Sequence, residues 1–275
     1  MHNKRILVAV GHALQEPWIT IFNTGSEKTW LQTELPSNIE MIHFHGSPLN
    51  KAGLLWDKLH EYFRWKNRWF ATVLAWLDTI IGFPSKFFIP KVQVSKKIKT
   101  SFPVLGVNFP DSYQFLRWKS LAILKYFVEN TSCDYMFMTT NNSYINFKNL
   151  SLVVENLPKD SFYGGAKAYD GAEFAAGNNR IISRDVAEKF IRNRKNFSLS
   201  KIEDAAMGEL AHFINIRYSQ LPSLVIESLS NLDKTADSEI VRHFHIRVKS
   251  GTLKSRNDVT IMTRLHERLT NLGAL

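Results

Sequence analysis

The chain has 275 residues, of which 44% are hydrophobic, and this content supports a folded core and excludes an intrinsically disordered protein. The net charge of +10 suits polyanionic ligands such as nucleotide diphosphates, anionic lipid headgroups or nucleic acid. Nucleic acid is not favoured, because the sequence has no zinc-ligand spacing, no RNA-binding aromatic signature and no heptads. The single cysteine, Cys133, cannot form an internal disulfide and fits a reducing compartment.

The N-terminal part predicts strands that alternate with connections. Residues 6–10 form a short apolar run that predicts a first strand. Because no small-residue cleavage site follows this run, we expect no signal peptide and a cytoplasmic protein. Residues 40–45 predict a second strand, which ends at the loop formers Gly46, Ser47 and Pro48. A strand, a connection and a second strand at this spacing predict an α/β layer.

Residues 54–103 are basic and rich in tryptophan, and residues 54–83 have the hydrophobic spacing of a helix. The apolar part, residues 69–83, contains Asp78 and is shorter than the roughly 20 residues that span a bilayer. Two interpretations stay open. The helix lies in the headgroup region of an anionic membrane, at its inner face, or it packs on its own domain or on a second subunit.

The strand predicted at residues 135–138 is the most informative element of the chain. Its continuous apolar run is typical of a buried strand, and it stops in the turn formers of residues 139–143. Open α/β sheets bind ligands outside the carboxyl ends of their strands. Thr140, Asn141 and Asn142 are therefore candidate substrate-binding residues.

The C-terminal half supplies the other candidates. Gly164 and Gly165 permit close approach of the backbone to a ligand. Glu203 and Asp204 begin a predicted helix, where acidic residues also stabilise the helix N-terminus. Further helices are predicted at residues 112–128, with Asp111 or Ser112 as N-cap, and at 146–157, 181–191 and 258–272. Gly177 and Asn178 precede the helix at 181–191 and are candidate substrate-binding residues. Strands are predicted at 213–218 and 242–249, and the second has His245, Arg247 and Lys249 on one face.

Several short motifs occur in an order that points to a known family. They are Thr29-Trp30, Asp111-Ser112-Tyr113-x-x-Leu116-x-x-Lys119, the strand end at Thr140-Asn141-Asn142, the glycines at 164–165 and 177, Ser183-Arg184, and Glu203-Asp204 followed by Gly208. Their order and spacing resemble the fringe and β-1,3-galactosyltransferase group, glycosyltransferase family 31, over residues 5–48 and 105–220. The resemblance implies an α/β, GT-A-like single catalytic domain over residues 1–275, with a mixed central sheet flanked by helices and residues 54–103 as an insertion.

The resemblance also implies an inverting hexosyltransferase that uses a nucleotide sugar, a UDP-hexose, and a glycan acceptor. In that family the second acid of a Glu-Asp-Val-x-x-Gly motif deprotonates the acceptor hydroxyl, which assigns this role to Asp204, with Glu203 raising its proton affinity. The basic, Trp-rich helix adds the expectation of a lipid-linked acceptor, in the synthesis of a bacterial surface polysaccharide.

One departure from the family concerns the metal. The family holds a divalent cation through the last Asp of an acidic triplet, whereas this chain has Asn142 there, and a neutral amide binds a hard cation poorly. We expect a metal-independent enzyme, without cofactor, in which Arg247, Lys249 and Arg256 neutralise the diphosphate. The alternatives are a weak manganese or magnesium site at Asn142 and His245, or an inactive protein.

Two functions of other classes stay open. The Thr-Asn-Asn strand end favours a non-catalytic relative that binds a glycan or a nucleotide. The basic segment favours a peripheral membrane scaffold that uses residues 54–100.

Overall fold

The structure is a computed structural model that describes residues 4–47, 55–56, 58–60, 62–63, 68–82, 88–112, 115–251 and 256–275. In these residues the chain forms two sheets, with helices on both faces of the larger one. The larger sheet contains parallel and antiparallel pairs. The predicted α/β class, with a mixed central sheet flanked by helices, is therefore confirmed.

The larger sheet is built around the apolar run at the start of the chain. Its strands are β1 (Ile6–His12), β2 (Ile39–Ser47), β3 (Val92–Val94), β4 (Val104–Pro110), β5 (Tyr135–Thr140), β7 (Tyr163–Lys167), β8 (Ala175–Ser183) and β9 (Tyr218–Gln220), with β6 in the second sheet. The spatial order is β3-β4-β2-β1-β5-β8-β7-β9. β1, β2, β4 and β5 run parallel, and β8 is antiparallel to β5.

The second sheet stands at the carboxyl end of β5. It consists of β6 (Ser143–Ile145), β10 (Leu224–Ile226) and β11 (His245–Val248), with β11 in the middle. β11 is parallel to β10 and antiparallel to β6. Because β6 begins three residues after β5 ends, the small sheet is held close to the strand end that the sequence singled out.

Helices cover both faces of the larger sheet. They are α1 (Trp18–Thr20), α2 (Arg68–Gly82), α3 (Leu116–Asn130), α4 (Phe147–Asn156), α5 (Arg184–Arg192), α6 (Glu203–Phe213), α7 (Leu229–Lys234), α8 (Asp237–Arg242) and α9 (Asp258–Asn271). Alternate side chains of β1 point to opposite faces, as the period of a strand requires. Val8 packs in the core that α4 and α9 close, whereas Leu7 packs in the core that α3, α5 and α6 close.

Several predicted boundaries differ from the structure. Residues 181 and 182 are fully buried in β8 rather than helical, and the helix begins only at Arg184. The strand predicted at 213–218 is wrong, because α6 continues to Phe213 and β9 begins at Tyr218. The N-cap of α3 is Phe115, not Asp111 or Ser112. The predicted helix at 54–83 is helical where it is described, and residues 54, 57, 61, 64–67 and 83 lie outside the described residues.

Candidate active site

A crevice is expected beside β1, where the order of the strands in the sheet reverses. After β1 the chain builds β2 and β4 on one side, and it then crosses to place β5 on the other side of β1. Open α/β sheets bind ligands outside the carboxyl ends of the strands at such a reversal. The carboxyl ends here are Gly11 and His12 of β1 and Thr140 of β5, so the predicted polar strand end lies at the reversal.

The Thr-Asn-Asn strand end is held by hydrogen bonds within the fold. Asn142 Oδ1 accepts a hydrogen bond from Thr140 Oγ1 at 2.7 Å, and Asn142 Nδ2 donates to the Val248 carbonyl at 3.1 Å. Asn141 Nδ2 donates to the Trp18 carbonyl at 2.8 Å, while its own carbonyl accepts from Ser26 Oγ at 2.7 Å. Asn141 and Asn142 therefore anchor the crevice, and Thr140 is the half-buried member of the three.

Glu203 is held in a buried ion pair that the sequence analysis missed. Arg180 Nη1 and Nη2 donate to Glu203 Oε2 and Oε1 at 3.2 and 2.5 Å, and both side chains are buried. Burial alone would lower the pKa of Arg180, but the Glu203 carboxylate outweighs it and raises this pKa. The pair joins β8 to the first turn of α6. Two features of the sequence could have indicated this ion pair: Arg180 lies within an apolar strand segment, and α6 begins with two acidic residues.

Asp204, the predicted base, follows Glu203 in the first turn of α6. Its side chain is half-buried, and its Oδ1 accepts a hydrogen bond from the Ala205 backbone N–H at 3.0 Å. Burial raises the pKa of Asp204, and the negative charge of Glu203 raises it further, while Arg180 acts in the opposite direction. Asp204 therefore has the raised proton affinity that suits a general base.

The predicted glycines lie beside these acids and in the sheet. A Cβ at Gly177 would lie 3.2 Å from Glu203 Oε2 and 4.0 Å from the Asp204 Cβ, so this glycine faces the Glu203 carboxylate and lies beside the Asp204 side chain. At Gly164 a Cβ would lie 2.5 Å from the Ser219 carbonyl oxygen, and at Gly165 it would lie 1.9 Å from that of Asn179. Close packing of β7, β8 and β9 therefore requires glycine at 164 and 165, whether or not a ligand approaches them.

His245 lies deep between the two sheets. Its ring is fully buried, and the two ring nitrogens are hydrogen-bonded to Ser223 Oγ and Ser143 Oγ, each at 2.9 Å. Burial lowers the pKa of His245 to about 3, with a further contribution from the charge of Arg247. The ring is therefore neutral at pH 7 and supplies no positive charge. It also interacts with the backbone of Asn178, which places Asn178 beside β11.

The three predicted cations occupy different environments. Arg247 is half-buried on the same face of β11 as His245, and Lys249 is exposed just beyond the strand. Arg256 Nε donates to Asp258 Oδ2 at 2.8 Å, and its guanidinium lies 4.8 Å from the Trp18 ring centroid. Arg256 is thus paired with Asp258, whereas Arg247 and Lys249 lie on and just beyond β11.

The fold places four separate segments of the sequence along the amino-terminal half of β8 and the carboxyl end of β5. Asp204 and Glu203 face Gly177, Asn178 contacts His245, and Asn142 is bonded to Val248, the residue between Arg247 and Lys249. Asp204 and Arg247 lie on different sides of the amino-terminal half of β8, that of α6 and that of β11 respectively.

A second polar cluster, which the sequence analysis did not predict as a site, occupies the carboxyl ends of β1, β2 and β4. His12 Nε2 and His43 Nδ1 are 2.7 Å apart, and burial lowers both pKa values, that of His43 to about 4. Lys119 and Asp111 form a buried ion pair nearby. An open cleft of about 400 Å³ adjoins this cluster, lined in part by His45, Lys96, Lys97 and Asn108.

The donor groups near the strand end bear on whether a metal could bind there. Among the described residues no group of three or more His, Cys, Asp or Glu side chains is arranged to hold an ion. At the position that the resemblance implies, the Asn142 oxygen already accepts a hydrogen bond, and both nitrogens of His245 are engaged. This donor set does not fit a hard divalent cation, which prefers carboxylate oxygens.

Solved structures that are similar to this chain include glycosyltransferases, at low sequence identity. No protein-family model matches the chain. It is similar to a glycosyltransferase involved in glycosylation of the major capsid of PBCV-1, with 9% identity, a TM-score of 0.41 and coverage of 96% of this chain and 99% of that one. It is also similar to the galactosyltransferase LgtC, with 10% identity, a TM-score of 0.43 and coverage of 98% of this chain and 100% of that one. A third similar structure is mouse xyloside xylosyltransferase 1, with 8% identity, a TM-score of 0.41 and coverage of 89% of this chain and 96% of that one.

Proposed function

We propose that this protein is a GT-A-like glycosyltransferase that moves a hexose from a nucleotide sugar, a UDP-sugar, to a hydroxyl of a glycan acceptor. The observation that carries the proposal is the position of Asp204. This carboxylate has a raised pKa and lies beside Gly177, next to the crevice where the sheet reverses. The motif order that resembles family 31 supports the same reaction, and membership of that family is part of the proposal.

The proposed reaction is a single displacement with inversion. Asp204 takes the proton from the acceptor hydroxyl as the oxygen of that hydroxyl attacks the anomeric carbon of the donor sugar. The bond between this carbon and the phosphate oxygen breaks, and the nucleotide diphosphate leaves with the bonding electron pair. The attack comes from the face opposite the leaving group, so the configuration at the anomeric carbon inverts.

Glu203 and Arg180 have a positioning role in this proposal. Because the Glu203 carboxylate receives both hydrogen bonds from Arg180, it is engaged, whereas the side chain of Asp204 accepts only a local backbone N–H. Glu203 thus keeps the first turn of α6 against β8 and adds a negative charge that raises the proton affinity of its neighbour. Asp204 is the acid of the pair that deprotonates the acceptor.

In this proposal basic side chains, rather than a metal ion, neutralise the negative charge of the diphosphate. Arg247 and Lys249 flank Val248, whose carbonyl accepts a hydrogen bond from Asn142 at the strand end. Arginine binds phosphate oxygens in a bidentate manner. The donor set at Asn142 and His245 favours this metal-independent form over a weak manganese or magnesium site. Thr140, Asn141, Gly164, Gly165 and Asn178 are the further substrate-contacting residues of the proposal.

Two finer assignments belong to this proposal. The acceptor is a lipid-linked glycan of a bacterial surface polysaccharide, and the protein works at the inner face of the membrane; the basic, Trp-rich segment supports both. The second candidate function is a relative that binds a nucleotide or a glycan without turnover. The observation that favours it is the absence of acidic residues from the described strand end at residues 139–143, where the resembling family holds its metal.

Release of nucleoside diphosphate from a panel of sugar nucleotides, with manganese and with EDTA, tests the proposal. We expect turnover that persists in EDTA and falls by at least about 10²-fold in Asp204→Asn, because general base catalysis contributes 10²–10⁴-fold. Asp233→Asn, an exposed acid on α7, is the matched control and should retain activity. An Asp204→Asn variant with full turnover would refute the assigned base. UDP binding without turnover of any donor, in the presence of candidate acceptors, would support the binding protein.

A further inference from the structure

One segment carries most of the net positive charge of this protein. Between residues 62 and 110 the sequence has eight Lys or Arg residues and one acidic residue, Asp78, so this segment carries +7 of the net charge of +10. From residue 79 to residue 110 there is no acidic residue. Since the other 226 residues share a net charge of only +3, an extended anionic partner is attracted mainly to this segment.

Large apolar side chains are exposed on the helix within this segment. Trp69 is 67% exposed, and Trp76 and Ile80 are also exposed. Their spacing of seven and four residues places all three on one face of α2. Leu74, on another face, is buried against the protein. The helix therefore uses one apolar face for packing and presents a second one to the outside.

The same character continues beyond the helix. Phe88 is 73% exposed, and Val94, on the edge strand β3, is 82% exposed. Exposed lysines lie between and after these two residues, at positions 91, 96, 97 and 99. We call the exposed side chains that the structure describes between residues 69 and 99 the basic aromatic surface. Exposed apolar side chains grouped on one helix face, as Trp69, Trp76 and Ile80 are, mark interaction sites.

We propose that the basic aromatic surface docks on the surface of an anionic lipid bilayer, with α2 lying in the plane of the headgroups. Tryptophan side chains favour the boundary between headgroups and acyl chains, and lysines nearby are attracted by anionic lipids. Among the described residues no helix is long and apolar enough to span a bilayer. An α2 of 15 residues, about 22 Å long, suits a position along the surface.

Charge decides between a bilayer and a second copy of this chain. Two copies that met through this surface would bring two segments of +7 together, and like charges oppose such contact. An anionic bilayer instead presents negative charge to the lysines and an apolar interior to the aromatic side chains. The inference rests on the membrane location in the proposed function and assigns it a surface, while its test is separate from the transfer reaction, since binding is measured without any sugar nucleotide.

Co-sedimentation of the full chain with vesicles tests this inference. We expect binding to vesicles that contain 30% phosphatidylglycerol, little binding to pure phosphatidylcholine, and weaker binding at high salt. Trp69→Ser/Trp76→Ser should lower the partition coefficient at least about tenfold. The matched control Leu152→Ser/Phe213→Ser removes two exposed apolar side chains elsewhere and should leave it unchanged.

A charge-reversal pair separates attraction from apolar insertion. Lys96→Glu/Lys97→Glu should lower binding to anionic vesicles by about 25-fold or more, because each lysine contributes about fivefold. Lys148→Glu/Lys159→Glu, which has the same change of net charge on exposed lysines outside the segment, should lower it less. Equal effects of the two pairs, or unchanged binding of the tryptophan variant, would overturn the inference. So would a wild-type dimer in analytical ultracentrifugation that the tryptophan variant converts to a monomer, since the surface would then join two copies.

Discussion

Removal of the Arg180 side chain tests whether the buried ion pair holds the first turn of α6. In Arg180→Met the Glu203 carboxylate keeps its burial and loses both hydrogen bonds from the guanidinium. Breaking a buried pair by removing one partner costs about 3–5 kcal/mol, because an uncompensated charge stays inside. We expect the free energy of unfolding to fall by that amount, equivalent to roughly 6–20 °C in melting temperature for a chain of this size.

Two further variants make this measurement decisive. Arg192→Met breaks an exposed ion pair with Glu188 on α5 and should cost less than about 1 kcal/mol. Arg180→Met/Glu203→Leu removes both buried charges and should recover most of the loss, because the penalty comes from the unpaired carboxylate. Urea unfolding followed by circular dichroism measures all three. Equal costs for Arg180→Met and Arg192→Met, or no recovery in the double variant, would refute this account of the site.

Three shorter predictions concern protonation and packing. Because the pKa of Asp204 is raised, kcat/KM should fall with decreasing pH at a midpoint above the pKa of an ordinary aspartate. Glu203→Gln removes a neighbouring negative charge, so it should lower this midpoint in the pH profile of kcat/KM. The pKa of His245 is about 3 in the fold and about 6.5 in the unfolded chain, which therefore binds more protons between these values. The free energy of unfolding should fall as pH drops from about 6.5 towards 3, by up to about 1.4 kcal/mol per pH unit, and His245→Gln should lack this contribution in urea unfolding. Gly165→Ala should destabilise the protein by about 1–3 kcal/mol in thermal unfolding, since its Cβ would lie 1.9 Å from the Asn179 carbonyl oxygen.

Each of these predictions has a contradicting result. An unchanged midpoint in Glu203→Gln would mean that Glu203 does not act on the base. A wild-type slope of stability against pH in His245→Gln would mean that this ring is not the group that resists protonation. Gly106→Ala is the control for Gly165→Ala, because its Cβ would meet its nearest neighbours at an ordinary 3.5 Å. Equal destabilisation of the two glycine variants would contradict the packing argument.

The local pattern of the sequence was sufficient for several elements. The strands β1, β2 and β5 and the helices α4 and α9 appear where apolar runs and helical spacing predict them. Such elements depend on side chains close together in the chain, which decide which face is buried. The pattern failed at residues 181 and 182, where a short apolar run suits a helix or a buried strand equally, and pairing with β5 decided for the strand.

From the sequence alone it follows that this is an α/β protein, that polar residues come after its central strand, and that most of its net positive charge lies in one segment that is also rich in aromatic residues. The contacts of the polar side chains at the site are visible only in the tertiary structure. It paired Arg180 with Glu203 across 23 residues of sequence and buried His245 between two serines. It also placed Asp204 opposite Gly177. Contacts between residues far apart in the chain leave no periodic signal, because they form only when sheets and helices pack.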